Sequence, residues 1–289
     1  MLGAAWIAGV ALLPAIETSR NGRLVALASR SPKRGRDVLA PYPNARVVDS
    51  YDGLLELSDV DAVYIPLVNN LHLPWTLRAL ARGKHVLCEK PLAMNAAEAE
   101  EMAAAAARAD RLLMEAFMYR FDPRARDFVA GISEPLHVEA GFGFTLAGEG
   151  NYRFNAALGG GALFDVGCYG VSLSRWILGE PVEVLATARF AHGVDMTASV
   201  LLGFDGGRTA SVFASFESAE HQAVTVIGRG AVRTLERPFN SLVDPVRPYR
   251  LMVESFADSI LDARPAEIPL SESVANMRTL DRVRAAFSS

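Results

Sequence analysis

A lysine at the end of an apolar run is the first residue here that folding alone does not ask for. The run Val86-Leu87-Cys88-Glu89-Lys90-Pro91 starts as a buried strand and ends in a charged pair, which is costly unless the strand end opens into a crevice. Such crevices are where open α/β sheets hold their ligands. The plain alternative is a surface Glu–Lys pair after a strand. Further on, Asp165 stands four residues before Tyr169, so in a helix the two project from one face. A phenol titrates near ~10, and an adjacent ammonium favours its phenolate. A lysine and a tyrosine brought together could therefore move a hydroxyl proton and steady an alkoxide. Each residue also has a structural alternative: Asp165 can pair with Arg153 or Arg175, and Tyr169 can pack in a core.

The chain opens Met1-Leu2-Gly3-Ala4-Ala5-Trp6-Ile7-Ala8. Only the first glycine of a G-x-G-x-x-G/A turn is kept, with alanine where the second glycine lets backbone approach a pyrophosphate. Alone, this is a poor fingerprint. About twenty residues on, an NAD-specific chain presents Asp or Glu to a ribose 2′-hydroxyl. Here the run Leu24-Val25-Ala26-Leu27-Ala28 ends in Ser29-Arg30-Ser31, followed by Lys33 and Arg34. A carboxylate would repel a 2′-phosphate, whereas a hydroxyl and a guanidinium bind it, so the expected cofactor is NADP, with NAD possible. A doubly wound sheet also needs a central strand of about five or six residues before the glycine, and that strand is nearly absent. The expectation is that the native chain starts upstream of Met1; an intact mass of native-locus protein matching Met1 to Ser289 would refute it.

These groups need elements to position them. Short aliphatic runs at Leu24–Ala28, Arg46–Val48, Ala62–Ile65, His85–Cys88 and Leu112–Ala116 read as strands. Between and before them, Ala4–Ile16, Pro32–Leu39, Tyr51–Leu57, Leu73–Arg82 and Ala96–Ala107 read as helices. Continuous apolar strands alternating with helices predict a parallel sheet covered on both faces, a doubly wound Rossmann-like domain over residues 1–120. After Arg120 the grammar changes. A helix from Pro123 leads to a strand near His137–Thr145, and the turn Gly159-Gly160-Gly161 opens an apolar helix to Leu178. Strand-like runs then fill Val182 to Glu236, with turns at Asp205-Gly206-Gly207 and Gly228-Arg229-Gly230, and helices at Pro248–Asp262 and Glu272–Ala286 close the chain. This predicts a second, α+β domain over residues 121–289 on an open antiparallel sheet. A second copy of the chain would cover the open face, giving a homodimer or homotetramer.

With 289 residues, 51% of them hydrophobic, the chain can bury two sizeable cores. A net charge of -4 gives no field that would gather nucleic acid or an anionic membrane. Cys88 and Cys168 are the only cysteines; each lies in an apolar stretch, so small buried packing and a reducing cytoplasm are expected. No apolar run reaches the ~18 residues of a membrane span, and Ala4–Ile16 lacks the basic lead of a signal peptide. No His/Cys cluster has metal-ligand spacing, so no metal is expected.

Four ordered segments carry a resemblance: Val63-Tyr64-Ile65-Pro66-Leu67-Val68-Asn69-Asn70-Leu71-His72, Gly83-Lys84-His85-Val86-Leu87-Cys88-Glu89-Lys90-Pro91-Leu92, Met114-Glu115-Ala116-Phe117-Met118-Tyr119-Arg120, and Gly159 through Tyr169. Together they resemble the glucose-fructose oxidoreductase, inositol dehydrogenase and rhizopine-catabolism family. Tyr169, where many members carry histidine, is similar to the xylose dehydrogenase and dihydrodiol dehydrogenase branch. The resemblance implies NADP-dependent hydride transfer between nicotinamide and a sugar, polyol or vicinal diol. It implies that Lys90 orients substrate and cofactor, that Tyr169 is the acid/base and that Asp165 holds a substrate hydroxyl. Gly3, Ala5, Trp6 and Ile7 would lay the pyrophosphate on a helix N-terminus, Ser29 and Arg30 would take the 2′-phosphate, and Pro66, Asn69, His72 and Glu89 would approach the cofactor. Arg153 would donate to a sugar hydroxyl. Pro91 would fix a sharp strand exit, a position that suits a cis peptide. Asp122, where close relatives often show histidine, departs from the pattern. Two other readings stay open: a regulator that binds cofactor without turnover, against which Lys90, Asp165 and Tyr169 count, and a nucleotide-sugar ketoreductase.

Overall fold

Five short strands frame the first part of the computed structural model, which describes residues 1–148, 150–240 and 244–287. They are β1 (Ala26–Ala28), β2 (Arg46–Val48), β3 (Ala62–Ile65), β4 (His85–Cys88) and β5 (Leu113–Glu115). The pairs β1–β2, β3–β4 and β4–β5 are parallel. Ala26, Leu27, Ala28, Val86, Leu87 and Cys88 are all buried, as continuous apolar strands of a doubly covered sheet should be. The place between β1 and β3 is taken by Met1–Gly3. Leu2 bridges Ala28 in parallel, its N–H donates to Tyr64 O at 2.9 Å, Gly3 N–H donates to Ala28 O at 2.8 Å, and Ala28 N–H donates to Met1 O at 2.9 Å. Three residues thus satisfy backbone that a missing central strand would have left unpaired.

The helices are α1 (Leu13–Glu17), α2 (Pro32–Leu39), α3 (Tyr51–Leu55), α4 (His72–Ala81), α5 (Ala96–Ala109), α6 (Pro123–Ala130), α7 (Cys168–Leu178), α8 (Arg247–Leu261) and α9 (Leu270–Ala286). Two compact units result. One comprises Met1–Ala93, Ala97–Phe121 and Leu242–Ser273; the other comprises Met94–Ala96, Asp122–Ser241 and Val274–Ser289. The first unit therefore differs from the 1–120 reading by taking α8 back from the 121–289 segment. α8 buries Met252, Val253 and Phe256 and packs on α1 and on the turn Met118–Phe121. Asn21 Nδ2 donates to Glu254 O at 2.9 Å and to Asp258 Oδ1 at 2.8 Å. The sequence marks a helix here, and a helix does not say what covers it.

The second unit carries β6 (Pro135–Gly143), β7 (Glu183–Ala191), β8 (Val194–Phe204), β9 (Arg208–Ser215), β10 (His221–Gly228) and β11 (Val232–Glu236). Their order in the sheet is β11–β10–β6–β9–β8–β7. The expected antiparallel sheet is corrected to a mixed one, because β6 lies between β9 and β10 and runs parallel to β9. Reading successive runs as neighbours missed this insertion: β9 and β10 follow one another in the chain but do not pair. α7 lies on β6 and β9 through Gly170, where a Cβ would come 2.6 Å from Val212 Cγ1 and 3.4 Å from Ala140 Cβ. Ala162, Val166, Val194, Met196, Ala198, Ala214 and Phe216 form a core beside it. The stretch Ala156–Leu178 reaches the length and mean hydropathy, 1.3, of a membrane span, which no count of uninterrupted apolar residues had suggested. Its apolarity serves this unit's interior, since most of its residues are buried.

Candidate functional site

In the first unit, chemistry collects where β3 and β4 end. Lys90 follows β4 directly, and its peptide to Pro91 is cis. The turn is braced from three sides. Glu89 accepts from the Tyr64 hydroxyl and, through Oε2, from Lys90 N–H at 3.2 Å. Buried Glu115 accepts from Leu92 N–H at 2.9 Å. His72, fully buried at the start of α4, sets Nδ1 3.0 Å from Pro91 O and Nε2 3.0 Å from Leu67 O. Burial pushes the His72 pKa down, more than the carbonyls of Leu67, Pro91 and Leu92 raise it, and Lys90 adds to the lowering. A neutral ring donates from one nitrogen only, so one of the two contacts is the hydrogen bond. Set between these two carbonyls, His72 lies against both the loop after β3 and the turn that carries Lys90. Cys88 is buried, and desolvation raises its thiol pKa well above the ordinary value, so it packs as an inert side chain.

The cofactor end lies on the same sheet. Gly3 has φ +102°, and a Cβ there would meet Leu67 Cδ2 at 2.9 Å, so glycine is required at this turn. A helix follows from Trp6, with a π-helical turn over Ala8–Leu12. The first-turn N–H groups of a helix have no helical acceptor, the setting that binds phosphate. Ala5 and Ile7 are half-buried and Trp6 is 74% exposed, so its indole serves no core. Ser29 is buried, and its Oγ accepts from Ser31 N–H at 3.2 Å. Arg30 is exposed, with no ion pair among the described residues, whereas Lys33 is held by Asp37 at 3.0 Å. A hydroxyl and a free guanidinium after β1, with no carboxylate in the run, fit a nucleotide bearing a 2′-phosphate. Pro66 and Asn69 are buried in the loop that leads into α4.

In the second unit, Asp165, Tyr169 and Arg153 come together. The triple glycine turns the chain into a helix whose first part, Leu163–Gly167, is π-helical before α7 begins; such turns recur at functional sites. Asp165 and Tyr169 stay close to one face across it. Arg153 Nε donates to Asp165 Oδ2 at 2.7 Å, so of the two structural alternatives for Asp165 the Arg153 pairing is the one formed. Arg175 instead holds Glu180. The Arg153 pKa is raised: burial alone would lower it, but the charges of Asp165, Tyr152 and Tyr169 hold the proton. Tyr169 is 6% exposed, with ring centroids of Phe239 at 5.1 Å and Phe142 at 5.9 Å. The arrangement offers a phenol beside a cation, next to a carboxylate able to accept from a hydroxyl.

Asp122 is explained by local structure: it caps α6, its Oδ1 accepting from Arg124 N–H at 2.9 Å. Two residues escaped sequence reasoning. Glu115 was read as part of a strand, although a buried acid in such a run needs a partner. Asp195, beside a hairpin turn, was not singled out, yet its Oδ2 accepts from Leu163 N–H at 2.6 Å. Among the described residues, no group of three or more His, Cys, Asp or Glu could hold a metal ion.

The GFO/IDH/MocA oxidoreductase family, with an NAD-binding Rossmann fold, matches residues 1–117, and the GFO/IDH/MocA C-terminal domain matches residues 125–232. D-xylose 1-dehydrogenase (NADP(+)) 2 of Haloferax volcanii is 37% identical over 98% of this chain and 95% of its own. Trans-1,2-dihydrobenzene-1,2-diol dehydrogenase of Xenopus laevis is 32% identical over 77% of this chain and 68% of its own. Among solved structures, a 3-ketoreductase from Actinomadura kijaniata in complex with NADP and TDP-benzene superposes with a TM-score of 0.88 at 28% identity, over 99% of this chain and 96% of that one. Sequence kinship along nearly the whole chain and the braced lysine turn lead to the same assignment: this chain belongs to the GFO/IDH/MocA family of oxidoreductases.

Proposed function

We propose that the chain is an NADP-dependent dehydrogenase or reductase acting on a CH–OH group of a sugar, polyol or vicinal diol. The observation that carries the reading is the gathering of Tyr169, Asp165 and Arg153 at one helix end. It puts a proton carrier beside two groups suited to hydroxyls. NADP, when bound, supplies or accepts the hydride. Tyr169 then gives or takes the hydroxyl proton, and the neighbouring Arg153 guanidinium favours its phenolate. Asp165 accepts from an adjacent substrate hydroxyl, and Arg153 fixes that carboxylate and donates to the sugar. Lys90, on its braced turn, orients substrate and cofactor. Ser29 and Arg30 take the 2′-phosphate, while Gly3, Ala5, Trp6 and Ile7 offer backbone to the pyrophosphate.

A panel of aldoses, inositols and diols, with a thymidine-diphosphate keto sugar added, tests this with NADP and NAD by following reduced-nicotinamide absorbance. Turnover of a free sugar or diol with NADP is expected. Reaction with the keto sugar alone would favour the nucleotide-sugar ketoreductase, for which the likeness to the Actinomadura kijaniata enzyme speaks. Tight NADP binding with no turnover at all would favour a regulator. The same proposal places the protein in the cytoplasm as a homodimer or homotetramer. Leu185, Phe190 and Leu201 lie exposed on the outer strands β7 and β8, and sedimentation equilibrium would detect a monomer if that face stays bare.

A further inference from the structure

We infer that Asp195 is a positioning residue for the reaction: it caps the helix that carries Asp165 and Tyr169, and so sets where those two side chains stand. The chain enters that helix through Gly160 and Gly161. Gly160 N–H donates to Asn155 O at 2.9 Å and Gly161 N–H to Arg153 O at 3.0 Å. Leu163 N–H finds its acceptor outside the segment, in Asp195 Oδ2 at 2.6 Å. A helix N-terminus favours such a carboxylate, for its orphan donors and for its dipole. The glycines make room for it. A Cβ on Gly161 would collide with Asp195 Oδ1, and one on Gly160 would collide with Arg153 O. The helix start is thereby wedged between the carboxylate that caps it and the carbonyl of the residue whose side chain grips Asp165.

Strand β8 is built to deliver the acid there. The turn before it has His192 at φ +56° and Gly193 at φ +78°, the left-handed pair of a tight hairpin. The β7–β8 register then shifts between Arg189 and Phe190, so Arg189 faces Thr197 and Phe190 faces Asp195, with Met196 unmatched. A bulge of this kind re-aims a side chain. Arg284 lies over the Phe164 ring at 5.0 Å and favours the ionised form of Asp195, so α9 holds the same corner from another side.

The inference rests on the proposed roles of Asp165 and Tyr169, and the experiment separates the two. Asp195→Ala removes the acceptor, whereas Asp195→Asn keeps an oxygen in the same place. Since a misplacement of about 1 Å can cost ~100-fold, kcat should fall 10- to 100-fold in the alanine variant. NADPH affinity should stay within twofold, and the asparagine variant should keep kcat within threefold. Amide hydrogen exchange over residues 161–169 should accelerate at least tenfold in the alanine variant and not in the asparagine one. Where Asp195→Ala does not fold, Asp195→Ser, too short to reach, stands in with the same expected losses. Unchanged kcat and exchange in the alanine variant would overturn the inference, as would equal damage from Ala and Asn. Absence of turnover in the parent would sink the proposed function, and the exchange comparison would still decide whether Asp195 holds the helix.

Discussion

Gly170→Ala is the sharpest test of how α7 is seated. The added methyl would start 2.6 Å from Val212 Cγ1 and 3.4 Å from both Val212 Cγ2 and Ala140 Cβ, whereas carbon atoms rest about 3.5–4.0 Å apart. Relief takes roughly 1 Å of separation between α7 and β9, and overpacking of that kind costs about 1–3 kcal/mol. Alanine returns at most about 1 kcal/mol through helix propensity, so a net loss of about 1–2 kcal/mol is expected. At roughly 2–4 °C per kcal/mol, the melting midpoint should drop by about 2–8 °C. Val212→Ala removes both opposing methyls and alone should cost about 1–3 kcal/mol. Combined with Gly170→Ala, it should recover about 1–2 kcal/mol of coupling. Urea melts of the parent, both single variants and the double variant measure this. Additive losses, or a stabilised Gly170→Ala, would refute the contact. Because Tyr169 is the next residue, kcat should fall in the single variant and recover in the double.

Three further outcomes are expected. Arg30→Ala should weaken NADP binding about tenfold or more, the weight of one charge-assisted hydrogen bond, and leave NAD within twofold; equal effects on both in a fluorescence titration would remove Arg30 from the 2′-phosphate. Lys90→Ala should lower kcat far more than NADPH affinity if the lysine acts on the transition state, and equal losses would leave it a scaffold. Asp195 has its pKa raised to about 6 from 3.8, desolvation being the main cause and the Leu163 N–H opposing it. The folded state then holds this proton more tightly than the unfolded one. Its stabilising share is full below the unfolded value and is lost as pH rises through about 6, a fall of about 3 kcal/mol. Asp195→Asn should erase that part of the stability–pH slope, and an unchanged slope from pH 4 to 7 would contradict it.

Much of the first unit was readable because β1, β3, β4 and β5 are buried along nearly their whole length and so appear as unbroken apolar runs; β2, exposed at Arg46, showed only as a short β-branched pair. Lys90 stood out for the converse reason, as a charge where burial was due. What stayed hidden depended on contacts distant in sequence. Met1–Gly3 are too few residues for a periodicity, and only the carbonyls and N–H groups of Ala28 and Tyr64 reveal them as a strand. The insertion of β6 beside β9 leaves no trace in local patterning, since each strand alternates in the same way whichever neighbour it has. His72 carries the same letters whether it meets a nucleotide or two main-chain carbonyls. Asp195 was hidden because Val194, Asp195, Met196 and Thr197 alternate apolar and polar without a break, the pattern of an ordinary position facing away from a core.

The return of α8 to the first unit bears on how the polypeptide matures at the ribosome. Arg20 and Asn21 reach Glu254 and Asp258, more than 230 residues later, so the flank of α1 remains bare until nearly the whole chain has been synthesised. A fragment ending near residue 120 would expose that flank together with Met118 and Phe121, and would be a candidate for chaperone capture or clumping. The nucleotide-binding half, although translated first, is therefore completed only after most of the other half has been made.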